Sequence, residues 1–235
     1  MRKLVIRVSL VLVTLTVAGV GLRAFINSRI PLFGDSIHRV DTRERVVALT
    51  FDDGPHPRHT PRMLDLLDRH QVKATFFMMG RNVERHPDVV LQVLARGHEV
   101  GNHSYSHPRL VFMAPGRVRH EISRTDALLR SLGVTGDIHF SPPHGSKFVV
   151  LPYVLTQMGK LSVLSDVDVE EWKRPPAAVM VRSALEQVRP GSVMQFHDPL
   201  GEETLKAVDQ VVTRLLAQGY RFERISELIK RRPNP

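Results

Sequence analysis

No cysteine occurs among the 235 residues, which excludes disulfide bonds and thiolate metal ligands and is compatible with an oxidising compartment. Tryptophan occurs once, and the sequence has neither an internal repeat nor a low-complexity segment. The charged fraction of 24% is ordinary for a folded domain, and 42% apolar residues can form one hydrophobic core. These features predict a single globular domain in which any metal site uses carboxylate and imidazole ligands.

Acidic residues are missing from the first 34 positions, where Arg2, Lys3, Arg7, Arg23 and Arg29 lie. These five residues carry more than half of the formal net charge of +9. The rest of the chain shows no basic stripe interleaved with aromatic residues and no recognisable nucleic-acid module. We therefore predict that the protein does not bind nucleic acid.

An uncharged apolar run from Val8 to Leu22 follows the basic start of the chain. The run is short for a spanning helix, which needs about 20 residues, but it is within the range of a signal-peptide core. We assign residues 1–24 to a signal peptide or membrane anchor, favouring an uncleaved transmembrane anchor, and residues 25–45 to a linker. This predicts an exported protein in the cell envelope, membrane-anchored and facing outward, or secreted if the segment is cleaved.

From residue 46 onward, short β-rich runs alternate with amphipathic helices. Strands are predicted at 46–51, 74–79, 99–102, 138–140, 162–164, 193–196 and 220–222. Helices are predicted near 60–70, 87–96, 117–132, 149–158, 177–188 and 205–216. This alternation predicts an α/β domain of parallel strands over residues 46–230, followed by a tail at 231–235. Reactive side chains follow several successive strands, which favours the mouth of a (β/α) barrel over an open sheet.

Two adjacent carboxylates, Asp52 and Asp53, end the first predicted strand, just before Gly54-Pro55. Paired acids at the end of an apolar strand are unfavourable unless an ion or a hydrogen-bond network compensates them. The alternative is an acidic turn, because Asp-Gly is a common turn pair.

His103 and His107 follow the third predicted strand and are four positions apart. If the backbone coils there, both can reach one ion, and a carboxylate from elsewhere completes a face of two histidines and one acid. We interpret the other histidines as surface or core residues and keep His56 and His59 as possible rim residues.

TFDDGP at 50–55 and GHEVGNHSYSHPRL at 97–110, in this order, resemble the polysaccharide deacetylase family. These are carbohydrate esterases of family 4, which share a NodB homology domain, and the resemblance covers roughly residues 46–229. It implies a distorted (β/α) barrel of about seven strands. It also implies a hydrolase that removes N-acetyl groups from an N-acetylglucosamine polysaccharide, such as peptidoglycan, a chitin-like polymer or poly-N-acetylglucosamine.

The resemblance also implies a role for each site residue. Asp52 resembles the catalytic base, and Asp53, His103 and His107 resemble the ligands of a divalent metal, with zinc favoured over cobalt, nickel or iron. His197 resembles the general acid. The backbone N–H of His144, after Pro143, is expected to bind the oxyanion, and Trp172 is expected to form an apolar wall, with a core tryptophan as the alternative.

Three positions depart from the family pattern. Ser141 occupies the place of an arginine that normally pairs with the base, so we expect a weaker hold on ionised Asp52. Glu171 replaces an aspartate and can still orient His197. Gln195 replaces a leucine and is expected to make the acetyl pocket more polar.

The departures leave two alternatives to an active deacetylase. One is a catalytically weak relative that binds glycan or protein partners, for which Ser141 is the sign. The other is a metal-dependent O-acetyl esterase, for which Gln195 is the hint.

Overall fold

The computed structural model describes residues 34–145, 149–198 and 201–232. The predicted signal peptide or anchor, 1–24, lies outside the described residues. None of the helices in the described part of the chain is both long and apolar enough to span a bilayer.

A six-stranded sheet with parallel pairing throughout forms the centre of the domain. Its strands run in the order β4, β3, β2, β7, β6, and β8 pairs with the first residues of β2. Their bounds are β2 Val46–Gly54, β3 Thr75–Met78, β4 Glu99–Asn102, β6 Val167–Asp168, β7 Val193–His197 and β8 Arg221–Glu223. Because the strands are parallel, their carboxyl ends lie at one edge, where the predicted site residues end β2 and β7 or follow β4.

A short parallel pair, β1 (Ser36–Ile37) and β5 (Ser162–Val163), continues the architecture beyond β4. Phe140 connects the two sheets, because it bridges Asn102 of β4 on one side and Ser162 of β5 on the other. The α/β class and the parallel sheet are confirmed. Closure into a barrel of about seven strands stays a prediction.

Eight helices in the described residues follow the strands. They are α1 His59–Arg69, α2 Gly80–Arg85, α3 Pro87–Ala95, α4 Pro115–Ser131, α5 Val150–Gln157, α6 Ala177–Gln187, α7 Glu202–Ala217 and α8 Ile225–Ile229. The largest apolar core combines sheet residues such as Phe51, Phe76 and Phe196 with helix residues such as Leu64 and Val211. The Phe51 and Phe76 rings stack with centroids 5.0 Å apart. This core holds the sheet rigid beneath the site.

Several boundaries differ from the prediction. The strand expected at 138–140 is reduced to an isolated bridge at Phe140, and the helices α2 and α8 were not predicted. Helix α1 begins at His59, one residue before the predicted start. The Thr60 hydroxyl accepts from the His56 N–H at 2.8 Å and donates to Asp198.

The segment assigned to a linker, 25–45, contributes to the folded domain where it is described. Ile37 and Val40 are buried, and Val40 donates its N–H to the Gly191 carbonyl at 2.9 Å. At the other end, Arg231 and Arg232 of the predicted tail form ion pairs with Glu223, Glu44 and Asp35. The domain therefore begins before residue 46.

Candidate active site and metal centre

The carboxyl end of β2 brings Asp52 and Asp53 to the edge of the sheet with different backbone conformations. Asp53 has a φ of 71°, a left-handed conformation that aspartate tolerates better than most residues. Its carbonyl accepts a hydrogen bond from Asn82 Nδ2 at 2.9 Å. Gly54 follows because a Cβ there would lie 2.5 Å from Asp198 Oδ2. The register of β2 shifts between Phe51 and Gly54, and this irregularity accompanies the different backbone conformations of the two adjacent aspartates.

A tight loop after β4 brings His103 and His107 together. Ser104 and His107 have positive φ values of 60° and 59°, and the His107 N–H donates to Ser104 Oγ at 3.0 Å. Glu121 of α4 accepts from the N–H groups of Tyr105 and Ser106, at 3.0 and 2.8 Å. The loop coils as the four-residue spacing requires, and Glu121 holds it in place.

Asp53, His103 and His107 form a cluster that could hold a metal ion. Asp53 Oδ1 lies 3.4 Å from His103 Nε2 and 3.3 Å from His107 Nε2, and their ligand atoms all lie within 4.8 Å of one another. Asp53 Oδ1 is buried without a hydrogen-bond partner among the described residues. His103 Nδ1 lies 2.8 Å from the Ser141 carbonyl, which fixes the proton on Nδ1 and directs the Nε2 lone pair to the cluster. The three residues therefore fit a divalent cation.

The charges in the cluster shift its pKa values. Burial opposes ionisation of Asp53, but the neighbouring imidazoles of His103 and His107 outweigh it and lower the pKa of Asp53 to about 2. Burial, together with the charge of His103, lowers the pKa of His107 to about 4. Burial also opposes the charge on His103, but the carboxylates of Asp52 and Asp53 raise its pKa. A proton on His103 and a metal ion therefore compete for the same site.

Asp52 is 1% exposed and is held through one oxygen. Its Oδ2 accepts hydrogen bonds from Ser141 Oγ at 2.8 Å and Gln195 Nε2 at 2.6 Å. Its Oδ1 is buried without a partner among the described residues. Gln195 also lines the cavity, so its effect on the polarity of the acetyl pocket stays a prediction, and its amide group in addition binds the Asp52 carboxylate.

His197, at the end of β7, lies opposite Asp52 in the strand register. Glu171 Oε2 accepts from the His197 N–H at 2.7 Å and lies 3.2 Å from His197 Nδ1, while Thr204 donates to Glu171 Oε1. Burial disfavours the imidazolium, but Glu171 and the Asp52 charge raise the pKa of His197 to about 9. His197 is therefore protonated at neutral pH, as a general acid must be.

The clustered residues border a cavity of about 580 Å³ at this edge of the sheet. His144, whose φ is 56°, lies beside His107 with ring centroids 4.4 Å apart, and the role of its N–H stays a prediction. Pro142 lines the cavity, whereas Pro143 is buried. Trp172 lines the cavity and is 66% exposed, which excludes the alternative of a core tryptophan.

Three residues that support site residues or their loop were missed by sequence reasoning, because each bonds a partner distant in the chain. They are Glu121, Ser165 and Thr204. Asp198, next to His197, accepts a hydrogen bond from the Thr60 hydroxyl. Burial raises the pKa of Asp198 to about 7. The rim candidates His56 and His59 organise the loop before α1, where His56 Nδ1 accepts from the His59 N–H.

Comparison with known proteins finds relatives that are named as deacetylases of glycans. A family model described as polysaccharide deacetylase matches residues 39–162. A peptidoglycan-N-acetylglucosamine deacetylase from Bacillus cereus is 36% identical over 75% of this chain and 65% of its own length. A chitooligosaccharide deacetylase from Azorhizobium caulinodans is 32% identical over 79% of this chain and 95% of its own. The chain spans slightly less than two thirds of the length of the Bacillus cereus relative.

A solved structure shows the same fold at high similarity. It is a mutant, with restored enzymatic activity, of a CE4 family pseudoenzyme from Bacillus anthracis. The TM-score is 0.79 at 29% identity, and the match covers 86% of this chain and 74% of that one.

Proposed function

We propose, on the premise that the chain belongs to the polysaccharide deacetylase family, that it hydrolyses N-acetyl groups on N-acetylglucosamine units of a polysaccharide. The substrate class is an amino-sugar polymer such as peptidoglycan or a chitin-like glycan, by analogy with the names of its relatives. The reaction cleaves an amide bond and releases acetate and a free amine.

The observation that carries this proposal is the position of two proton-transfer residues beside a cluster of metal ligands. Asp52 and His197 are paired in register on β2 and β7, and both border the cavity that holds Asp53, His103 and His107. A base and an acid beside a cation site form the arrangement that amide hydrolysis requires.

Each residue has a distinct task in this reaction. Asp53, His103 and His107 would hold the divalent ion, which when bound supplies Lewis acidity toward an acyl oxygen and toward water. Asp52 Oδ1 accepts the proton of the attacking water. His197 donates a proton to the departing amine nitrogen, while Glu171 stabilises its charged form. Trp172 forms an apolar wall of the cavity.

The test is acetate release by metal-loaded protein from three substrates: a chitooligosaccharide, intact peptidoglycan and acetylated xylan. We expect release from at least one of the two N-acetylated substrates and loss of that release after chelation. Asp52→Asn serves as the matched control, because it removes the base and leaves the ligand set intact. Absence of release from both N-acetylated substrates would reject the proposal.

A catalytically weak glycan- or protein-binding relative is the second candidate, because Ser141 replaces the family arginine and the fold matches a pseudoenzyme. Glycan binding without acetate release would support it. The O-acetyl esterase alternative was favoured by Gln195 alone. The Gln195 amide binds Asp52 and Ser165, so this residue no longer supports that alternative. Release from acetylated xylan alone would restore that alternative.

Zinc is the ion that we propose, because a site of two imidazoles and one carboxylate suits it, while cobalt, nickel or iron fit the same ligands. Elemental analysis of protein purified without added metal, compared with His107→Ala, identifies the ion. A metal content unchanged by that substitution would contradict this site.

Export and membrane attachment belong to the same proposal, since an amino-sugar polymer of the envelope lies outside the cytoplasm. They rest on the basic start of the chain and the apolar run from Val8 to Leu22. Cell fractionation, with the mass of the mature N-terminus, distinguishes an anchored from a cleaved and secreted protein. Closure into the family's distorted barrel is also proposed, supported by the bridges at Phe140.

A further inference from the structure

Gln195 lies on β7 at the position where the family pattern has leucine. In the strand register it is opposite Thr50, and His197 is opposite Asp52. Side chains two residues apart on a strand point to the same face, so Gln195 faces the site together with the general acid. A polar side chain at this position therefore reaches the catalytic base directly.

The orientation of the Gln195 amide follows from its two partners. Its Nε2 donates to Asp52 Oδ2 at 2.6 Å, and its Oε1 accepts from Ser165 Oγ at 3.1 Å. An ionised carboxylate can only accept hydrogen bonds, so the amide nitrogen must face Asp52. Ser165 satisfies the other end and opposes rotation of the amide.

Ser141 donates to the same oxygen, Asp52 Oδ2, from the opposite side of the site. Both donors leave Oδ1 free, which is the oxygen available for proton transfer. An arginine in the family pattern would hold the base through a charged group. Here the base has two neutral donors on separate segments of the chain.

We propose that Ser141 and Gln195 act together as positioning residues for Asp52 and replace the family arginine, with Ser165 fixing the Gln195 amide. The proposal rests on the proposed function, because it assigns Asp52 as the base. It predicts that the effects of substitutions at 141 and 195 depend on each other. Leucine at 195 should preserve kcat when residue 141 is arginine and lower it when residue 141 is serine.

The first experiment replaces Gln195 with methionine, which has a similar length but no donor. We expect kcat to fall about 10- to 100-fold, as for a lost hydrogen bond to a charged group, with KM within about twofold. Ser165→Ala should cause a smaller loss, because the donor remains but is less restrained. Gln187→Met is the matched control, since Gln187 is also half-buried and bonds Ser183 and the Asp168 backbone instead of Asp52. An equal loss of kcat in this control would overturn the proposal.

The second experiment exchanges both positions. Gln195→Leu should lower kcat as Gln195→Met does, and the double variant Ser141→Arg/Gln195→Leu should recover most of that loss. Unchanged kcat in Gln195→Leu would overturn the proposal. So would a double variant that recovers no kcat although its metal content and melting temperature equal those of the wild type. If the double variant does not fold, the kcat values of Gln195→Met, Ser165→Ala and Gln187→Met test the proposal.

A measurement that does not depend on activity separates this proposal from the proposed function. In ¹⁵N-labelled full-length protein, the side-chain amide signal lost in Gln195→Met identifies Gln195. That signal should shift in Asp52→Asn and in Ser165→Ala, while the Gln187 signal stays in place. An unmoved Gln195 signal would reject the hydrogen-bond set even if the wild type is active. A shifted signal in a protein that releases no acetate would reject the activity alone.

Discussion

The two oxygens of Asp52 have different surroundings, and this difference decides what each can do. Oδ2 is fixed by two donors, whereas Oδ1 is buried without a partner among the described residues. A fixed carboxylate with one free oxygen can accept a proton along a defined direction, which is the requirement for a general base.

Asp52→Asn tests this role, since asparagine keeps the shape but cannot accept the proton. We expect kcat to fall about 10²- to 10⁴-fold, the usual contribution of a positioned base. Metal content, measured by elemental analysis, should remain that of the wild type because Asp53, His103 and His107 are intact. A variant with at least a tenth of the wild-type kcat would contradict the assignment.

Glu171→Gln tests the general acid through the pH dependence of the reaction. Glu171 and Asp52 raise the pKa of His197 to about 9 against the effect of burial. The acid must be protonated, so activity is lost as pH rises through this pKa. Removing the Glu171 charge lowers the pKa, and the alkaline limb of the kcat/KM profile should move to lower pH. An alkaline limb that stays in place would exclude His197 as the group responsible.

At the scale of elements, the metal site depends on how α4 holds the loop after β4. Glu121 accepts both backbone N–H groups and the Ser106 hydroxyl, the latter at 2.9 Å. The positive φ values of Ser104 and His107 are maintained by such contacts, because isolated residues rarely adopt them.

Glu121→Ala should therefore weaken metal binding about 10- to 100-fold, in the range found for residues that support a ligand from outside the coordination sphere. Titration with zinc, followed by calorimetry, measures the change. Glu186→Ala on α6 is the control, because Glu186 is exposed and remote from the loop. Equal zinc affinity in the two variants would show that the loop holds its conformation without Glu121.

The elements best predicted from the sequence are those with a local signal. Apolar side chains at three- and four-residue steps identified α7, and β4 was placed at its observed bounds. The strand at 138–140 was overpredicted, because within it only Phe140 forms β-bridges, one to Asn102 and one to Ser162. Helix α8 is five residues long and was missed, since so short a helix has little periodicity.

At the scale of the whole molecule, a cation bound at the candidate metal site would couple the stability of the fold to cation concentration and pH. Asp53 Oδ1 is buried without a partner among the described residues, and the carboxylates of Asp52 and Asp53 raise the pKa of His103. A cation that binds only the folded chain stabilises it in proportion to the logarithm of its concentration.

Zinc at about 100 times its dissociation constant should raise the melting temperature by about 5–10 °C, from roughly 2.7 kcal/mol of binding energy. The affinity should fall as pH is lowered through the raised pKa of His103, because the ligand must be neutral. Differential scanning calorimetry with and without zinc measures both effects. His107→Ala should abolish the shift and His120→Ala, at an exposed histidine, should retain it. A zinc shift in His107→Ala would locate the binding elsewhere.

The sequence by itself predicted the α/β class and, through local patterns, the cluster of Asp53, His103 and His107, whereas the roles of Asp52 and His197 in proton transfer rest on the family resemblance. Asp52 and Asp53 follow a β-rich run, and the spacing of His103 and His107 permits convergence on one ion. Only the tertiary structure decided how the base is held. Ser141 and Gln195 lie 89 and 143 positions from Asp52, and parallel strands bring them to one oxygen. Pairing between distant strands, which no local pattern encodes, fixes those contacts.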